Sequence, residues 1–374
     1  MRDRHEEARL RICFVSAALP DIACGIGDYT HRLASALAEA GAEPVILTAA
    51  RPGLRSDLPY EVRAVATDWR FSQAANLSRA ALRTGPDIVH IEFPGAGYGR
   101  GFGVTALPWV LLAAHPKLPV AITFHEFDRL SRRHRLRVAA GALPCRLVVT
   151  PGANLTQSAS RYLGWRPGLR IAEIPLASNV IPGLSGDLTA RDFRREPGEL
   201  IVGYWGFLRP DKGVEALIEA FTRVRAVRRA RLVLAGDPGP DTDYVRRIDQ
   251  LITRAGIADE TLITGPLPAE RLSPTLLAFD VCVFPFRDGL TPNRGSYAAA
   301  VAHGLCIVTT SLTERGFDGR TNTRFVGLGD VAALGDAILT AAESPRLDGP
   351  PDPAREWASI ARRHLELYRE VLGR

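Results

Sequence analysis

At 374 residues, with 46% apolar and 24% charged residues, the chain has an ordinary globular composition and exceeds the usual reach of one hydrophobic core, so two domains of about 150–200 residues are expected. No stretch approaches the roughly 20 apolar residues of a bilayer span, and the charged opening MRDRHEEARLR is not a secretory signal. Cys13, Cys24, Cys145, Cys282 and Cys306 form no C-x-x-C pair or histidine cluster, which argues against a zinc site or disulfide framework and fits a cytoplasmic protein. The net charge of +6 is carried almost wholly by arginine, Lys117 and Lys212 being the only lysines. It favours anionic partners without choosing among nucleotides, phosphates and membrane surface.

In chain order, the β-rich runs RICFVSAAL, PVILT, DIVHIEF, PVAITFHEF and RLVVT alternate with helical patterns, the rhythm of βα units and a parallel sheet. Tyr29, Leu33, Ala36, Leu37 and Ala40 recur at helical spacing and predict a helix over 28–40, stopped by Gly41. After residues 170–175 the Pro-, Gly- and charge-rich LASNVIPGLSGDLTARDFRREPGE reads as an interdomain linker. A second series follows: LIVGYWG, GVEALIEAFTRVRAV, RLVLAG, a helix near 244–255, TLITG, a helix near 270–279, VCVFPF, a helix over 297–304 and CIVTT. Residues 353–372 form a last amphipathic helix, with Trp357, Ile360, Ala361, Leu365, Leu367 and Val371 apolar. The expected class is α/β, two doubly wound sheets that bind ligands beyond the carboxyl ends of their strands.

The loops at those ends hold the candidate chemistry. Gly25 and Gly27 lie between the first strand and the first helix, where glycine amides meet a positively polarised helix N-terminus. A dinucleotide fingerprint would need glycine where Thr30 stands and an acidic residue where Thr48, Ala49 and Ala50 stand, which argues against NAD; a plain turn and a phosphate- or sugar-facing loop both remain. His125 ends a strand and is followed by Glu126. Its imidazole either meets a sugar hydroxyl or developing charge, or satisfies backbone carbonyls. Lys212, in RPDKG at a helix start, gains nothing from the macrodipole, which points to a bound anion. Before the helix at 297, Arg294, Gly295 and Ser296 supply a guanidinium, a close backbone approach and a hydroxyl, the parts of a phosphate cradle. Asp241-Thr242-Asp243 has the form of a metal-bound nucleotide site, yet a flexible Gly-Pro loop accounts for it, and no metal is assigned. Arg129, Arg132, Arg133 and Arg137 share one helical face, readable as solvated or as a contact for anionic lipid or an anionic acceptor.

Taken in order, these segments resemble glycosyltransferase family 4, the retaining GT-B enzymes, over nearly the whole chain. Gly25-Ile26-Gly27-Asp28-Tyr29-Thr30 looks like the family's glycine loop, Asp87-Ile88-Val89-His90 like its D-x-V-H strand, and Thr123-Phe124-His125-Glu126 like its T-x-H-E segment. Ile174-Pro175-Leu176-Ala177-Ser178-Asn179 is similar to the opening of the linker, residues 206–213 to the G-x-x-x-x-x-K-G phosphate motif, and Leu234-Ala235-Gly236-Asp237 to the L-x-G-D that follows. Thr264-Gly265 looks like the next strand end. Two departures stand out. Phe207 occupies the place of the family's phosphate-binding arginine, and Thr291 and Ala299 occupy those of its paired glutamates. A branch of the family shares the P-x-R-G-S turn ahead of an A-x-A-H-G helix, with Arg294 supplying the positive charge missing at Phe207.

The resemblance implies two Rossmann-like domains facing across a cleft: an acceptor domain at 1–180, a nucleotide-sugar donor domain at 181–355, and a C-terminal helix at 356–374 packing back on the first. It implies metal-independent transfer, with retention, of a sugar from a nucleotide-diphosphate donor to a small-molecule, glycan or lipid-linked acceptor. The donor is the substrate, and no cofactor or nucleic acid is called for. His125, Lys212 and Arg294 are the implied catalytic groups. Gly25, Gly27, Arg209, Lys212, Thr291, Asn293, Arg294, Gly295 and Ser296 face the donor, and Asp28, Tyr29 and Glu126 the acceptor. The expected location is the cytoplasm, with peripheral contact at the inner membrane face left open. The missing glutamates keep two alternatives in view, a non-catalytic nucleotide-sugar-binding relative and a GT-B nucleotide-sugar epimerase.

Overall fold

The computed structural model describes residues 9–22, 24–51, 53–54, 57–94, 98–99, 101–183, 193, 196–236, 242–291, 294–348 and 352–373. The chain divides into two compact units, one of Met1–Asn179 with Ala354–Arg374, the other Val180–Pro353.

In unit 1 the strands are β1 (Arg11–Val15), β2 (Glu43–Ala49), β3 (Glu61–Ala66), β4 (Ile88–Phe93), β5 (Val120–Phe124), β6 (Leu147–Thr150) and β7 (Arg170–Glu173), and the helices α1 (Gly25–Glu39), α2 (Ala74–Leu82), α3 (Gly103–Ala114), α4 (Arg132–Ala142) and α5 (Ala153–Leu163). Unit 2 carries β8 (Leu200–Trp205), β9 (Ala230–Ala235), β10 (Thr261–Gly265), β11 (Val281–Phe284), β12 (Cys306–Thr310), β13 (Gly316–Asp318) and β14 (Thr323–Val326), with α6 (Val214–Val227), α7 (Thr242–Arg254), α8 (Ala269–Ala278), α9 (Gly295–Ala302) and α10 (Val331–Ala341); α11 (Trp357–Leu372) returns to unit 1.

The first sheet has the order β3-β2-β1-β4-β5-β6-β7 with every pairing parallel. Strands buried on both faces must be apolar on both, and β1 shows the division: Ile12 and Phe14 pack with Leu33 and Leu37 of α1 and with Ile360 of α11, whereas Cys13 and Val15 pack with Leu77 of α2 and Leu107 of α3. The apolar stripe of α11 lays Ile360, Ala361, Leu365, Leu367 and Tyr368 into this core. At about 1.5–3 kcal/mol per large buried apolar side chain, that docking stabilises by several kcal/mol. The second sheet runs β10-β9-β8-β11-β12-β14-β13, parallel except for the antiparallel edge pair β13–β14.

Strand order reverses between β1 and β4 in the first sheet and between β8 and β11 in the second. At such a point the flanking loops diverge to opposite faces and open a crevice beyond the carboxyl ends of the strands, the usual ligand position of open α/β sheets. Asp87 and Asp280, each just before the second strand of its pair, mark the opposite ends: Asp87 accepts the Arg11 amide (2.9 Å) and Asp280 the Ile201 amide (2.7 Å). The aspartate of the D-x-V-H segment is therefore a clamp between two central strands at their amino end.

Several sequence-based boundaries shift. The first helix begins at Gly25 rather than at residue 28, so Gly25 and Gly27 are helical residues and not loop glycines. A Cβ on Gly27 would stand 3.0 Å from the backbone of Ala18 and Leu19, which is how the helix start comes to abut the loop after β1. The last helix starts at Trp357, residues 353–355 forming a 3₁₀ turn, and α9 starts at Gly295 rather than at 297.

Candidate functional site

In unit 2 the crevice is flanked by the loop after β8 and the loop after β11. Lys212 is the last residue of a 3₁₀ turn, Pro210–Lys212, and not the first residue of a helix. Gly213 (φ 69°) caps α6 in the left-handed region, with its Cα so near the Pro285 carbonyl that a Cβ would lie 2.1 Å from that oxygen. Glycine alone fits there, and the approach carries Lys212 to the end of β11. Arg294 is the N-cap residue of α9, whose first-turn amides, those of Gly295, Ser296 and Tyr297, have no acceptor within the helix. A Cβ on Gly206 (φ 143°) would stand 3.6 Å from the Ser296 Cβ, so the end of β8 reaches the start of α9.

Around this meeting point three cations face two carboxylates. Lys212 Nζ lies 3.0 Å from Asp211 Oδ2, Arg294 Nη1 3.4 Å from the same oxygen and Arg209 Nε 3.3 Å from Oδ1, while Arg294 Nη2 pairs with Asp288. The Phe286 ring floors the cluster, 4.4 Å from the Arg294 guanidinium carbon and 5.6 Å from Lys212 Nζ. Lys212 and Arg294 are 9% and 5% exposed, depths at which charged side chains need strong partners. Burial, then the charge of Arg294, lowers the Lys212 pKa; Asp211 opposes this. Burial raises the Asp211 pKa, but the Lys212 hydrogen bond and the charges of Lys212, Arg209 and Arg294 outweigh it and hold the carboxyl low. Two largely desolvated cations thus share one aromatic face beside helix amides, an arrangement whose electrostatics suit an anion.

In unit 1 the corresponding crevice holds His125, just beyond β5 and buried, whose Nε2–H donates to Glu92 Oε2 at 2.7 Å. Glu92 is fully buried near the end of β4, and its other oxygen stands 3.7 Å from His90 Nε2. His90 bridges Tyr368 Oη (2.5 Å) and Thr123 Oγ1 (2.7 Å), so the network reaches α11. The Tyr29 ring meets His125 edge-on (centroids 4.9 Å apart) and lies 5.4 Å from Trp357. Asp28, in the first turn of α1, has its pKa raised to about 6 by burial, against the opposing charge of Arg32. Glu126 is exposed, as is Gly25.

The structure thus gathers Arg209, Lys212, Arg294 and Ser296 in unit 2 and His125 with Tyr29 in unit 1, whereas Asp28 faces Arg32 and Gly27 abuts the loop after β1. Thr291 precedes the turn, its carbonyl accepting the Arg294 amide at 3.2 Å, and Ala299 is fully buried in α9. Asn293 lies outside the described residues, as does Asp241 of the D-x-D run, whose Asp243 pairs with Arg246 in α7. No cluster of three or more potential metal ligands occurs among the described residues. Sequence reasoning passed over Glu92, Asp211, Asp288 and Phe286. For Glu92 a signal existed: His90 and Glu92 share one face of an otherwise apolar strand buried along its whole length.

The chain is a glycosyltransferase of GT-B type, each of its two α/β sheets matched by one glycosyltransferase domain. Residues 23–176 match the family described as Glycosyltransferase Family 4, and residues 199–344 the one described as Glycosyl transferases group 1. Among relatives, a glycogen synthase of Mycobacterium tuberculosis is 26% identical over 383 residues, covering 90% of this chain and 87% of its own. Among solved structures, sucrose-phosphate synthase from Thermosynechococcus elongatus superposes with a TM-score of 0.73 at 18% identity, over 98% of this chain and 100% of that one. Anabaena Alr3699/HepE, in complex with UDP and glucose, gives 0.67 at 17% identity, over 98% and 99%.

Proposed function

We propose that the protein transfers a sugar, with retention and without an obligatory metal, from a nucleoside-diphosphate donor to a small-molecule, glycan or lipid-linked acceptor. The observation that carries this reading is the convergence of buried Lys212 and Arg294 on Phe286 at the switch point of the second sheet. As the bond between the anomeric carbon and the diphosphate oxygen breaks, negative charge builds on the diphosphate. Lys212, Arg294 and the first amides of α9 answer that charge, Arg209 assisting from the more exposed rim; such preorganised electrostatics usually dominates a step of this kind. Asp211 and Asp288 hold the cations in place until the diphosphate replaces them. The matched solved structure with UDP and glucose bound is in keeping with this donor class.

In unit 1, His125 orients the sugar, its imidazole fixed by Glu92 and by the edge of Tyr29, while Asp28, Tyr29 and Glu126 border the acceptor. The reading places the reaction in the cytoplasm, in keeping with the free thiols of Cys13, Cys24, Cys145, Cys282 and Cys306. The test is turnover with UDP-, GDP-, ADP- and dTDP-sugars in the presence of candidate acceptors, with NMR of the product. A new glycosidic bond of the donor's anomeric configuration is expected. Donor converted to an epimer or to free sugar, whatever acceptor is supplied, would reject transfer.

A further inference from the structure

Unit 1 carries on α3 and α4 a surface strip to which the proposed transfer assigns no residue. The adjoining helices α3 and α4 pack closely: a Cβ on Gly141 would lie 2.4 Å from the Thr105 carbonyl. Their outer face exposes large apolar side chains, Trp109 at 48% and Leu136 at 54%, with Leu112 and Phe102 beside them. These form one strip. Trp109 Nε1 donates to the Ala140 carbonyl (2.9 Å), one turn beyond Leu136 on α4, and the Arg137 guanidinium lies 4.1 Å above the Phe102 ring. Leu112 is one turn from Trp109 on α3. Arg132 and Arg133 are exposed in the first turn of α4, where cations are unfavourable for the helix itself, so their presence there calls for another reason. Residues 101–146 carry seven lysines and arginines against two carboxylates, Glu126 and Asp128.

We propose that this α3–α4 face seats the protein on an anionic lipid bilayer, Trp109, Leu112 and Leu136 entering the headgroup boundary and Arg132, Arg133 and Arg137 meeting lipid phosphates. Tryptophan and arginine are the side chains suited to that boundary, an amphipathic body with a polar end. The aliphatic members decide against a nucleic acid: Leu112 and Leu136 offer nothing to a phosphate backbone and no ring for a base to stack on, but they gain by leaving water. This holds whatever sugar is transferred, since no residue of the strip is among those assigned to donor or acceptor.

The test is co-sedimentation of the full chain with vesicles of phosphatidylcholine alone and of phosphatidylcholine mixed with phosphatidylglycerol. Binding to the mixed vesicles that weakens with added salt is expected, with little binding to the neutral ones. Each surface arginine neutralised weakens the partition about 5-fold, so Arg132→Gln with Arg133→Gln lowers it roughly 25-fold. Leu136→Ser weakens binding while leaving its salt dependence intact. Unchanged far-ultraviolet circular dichroism checks folding, and Arg132→Gln alone serves if the double variant misfolds. Equal binding to neutral vesicles, failure to bind the mixed vesicles, or binding to a DNA duplex in preference to them overturns the proposal.

Discussion

Replacing Lys212 by alanine tests the donor site most directly. The Lys212 side chain is 11% exposed and its nearest partner is Asp211 at 3.0 Å, an oxygen shared with Arg294 at 3.4 Å. Truncating one partner of a buried, hydrogen-bonded charge pair costs about 2–5 kcal/mol, which sets the gross loss when the diphosphate is the other partner. Part of that is offset, because bound diphosphate displaces the Asp211 pair; Asp211 is 39% exposed, and a pair so placed is worth up to about 1 kcal/mol. The net is about 1–5 kcal/mol, roughly a 5- to 5,000-fold rise in Kd. Folding survives, since Asp211 keeps Arg209 and Arg294 as partners. The assay is calorimetric titration with whichever of UDP, GDP, ADP and dTDP binds the unmodified protein most tightly. Alkaline pH adds a second readout. Diphosphate prefers the charged ammonium, so affinity falls as pH rises through the Lys212 pKa, which burial and Arg294 hold below its ordinary 10.5, and the variant lacks this limb. A folded variant whose Kd matches the unmodified protein, with the alkaline limb intact, would refute the assignment.

Other expectations concern unit 1. Glu92→Gln keeps the shape of the buried pair but not its charge, and should lower turnover by up to about 10⁴-fold, the loss when the carboxylate that orients a catalytic histidine becomes an amide, with donor Kd unchanged; normal turnover would free His125 from any need for Glu92. If the Asp28 carboxylate accepts an acceptor hydroxyl, the acceptor KM should fall as pH rises through about 6, and Asp28→Asn should flatten that profile; a wild-type KM constant over this range would remove Asp28 from the acceptor site. Burial lowers the His364 pKa to about 4, so the unfolded chain binds the extra proton between its ordinary 6.5 and that value. Stability contributed by the neutral ring is complete above pH 6.5 and falls as pH drops toward 4, by about 3 kcal/mol at the lower end. Urea denaturation of the protein and of His364→Leu over this range should show a shallower acid slope in the variant, and parallel slopes would count against the assignment.

Much of the fold was legible because its signals are local. β-rich runs alternating with helical periods identify α/β units, and RICFV and VCVF are apolar on both faces because each strand lies between helix layers. Strand order and the place of reversal were not legible, since parallel pairing joins strands separated by whole helices and no local residue fixes it. The short β13 escaped for a related reason: Gly316–Asp318 holds one antiparallel edge through backbone bonds and has no apolar alternation.

The candidate site divides in the same way. Sequence alone marked Lys212, because a cation ahead of a helix N-terminus runs against local electrostatics, Arg294, because a guanidinium, a glycine and a hydroxyl stand together before a helix, and His125, because it ends a strand. Only tertiary structure decided that Asp211 and Asp288 restrain the two cations above Phe286, that Glu92 holds His125, and that Tyr368 of the returning α11 bonds His90. Charge and periodicity are properties of neighbouring residues and can be read along the chain. Counter-ions and orienting hydrogen bonds join residues such as Glu92 and His125, or Asp211 and Arg294, that are brought within 3.5 Å only when their strands pair and their loops meet.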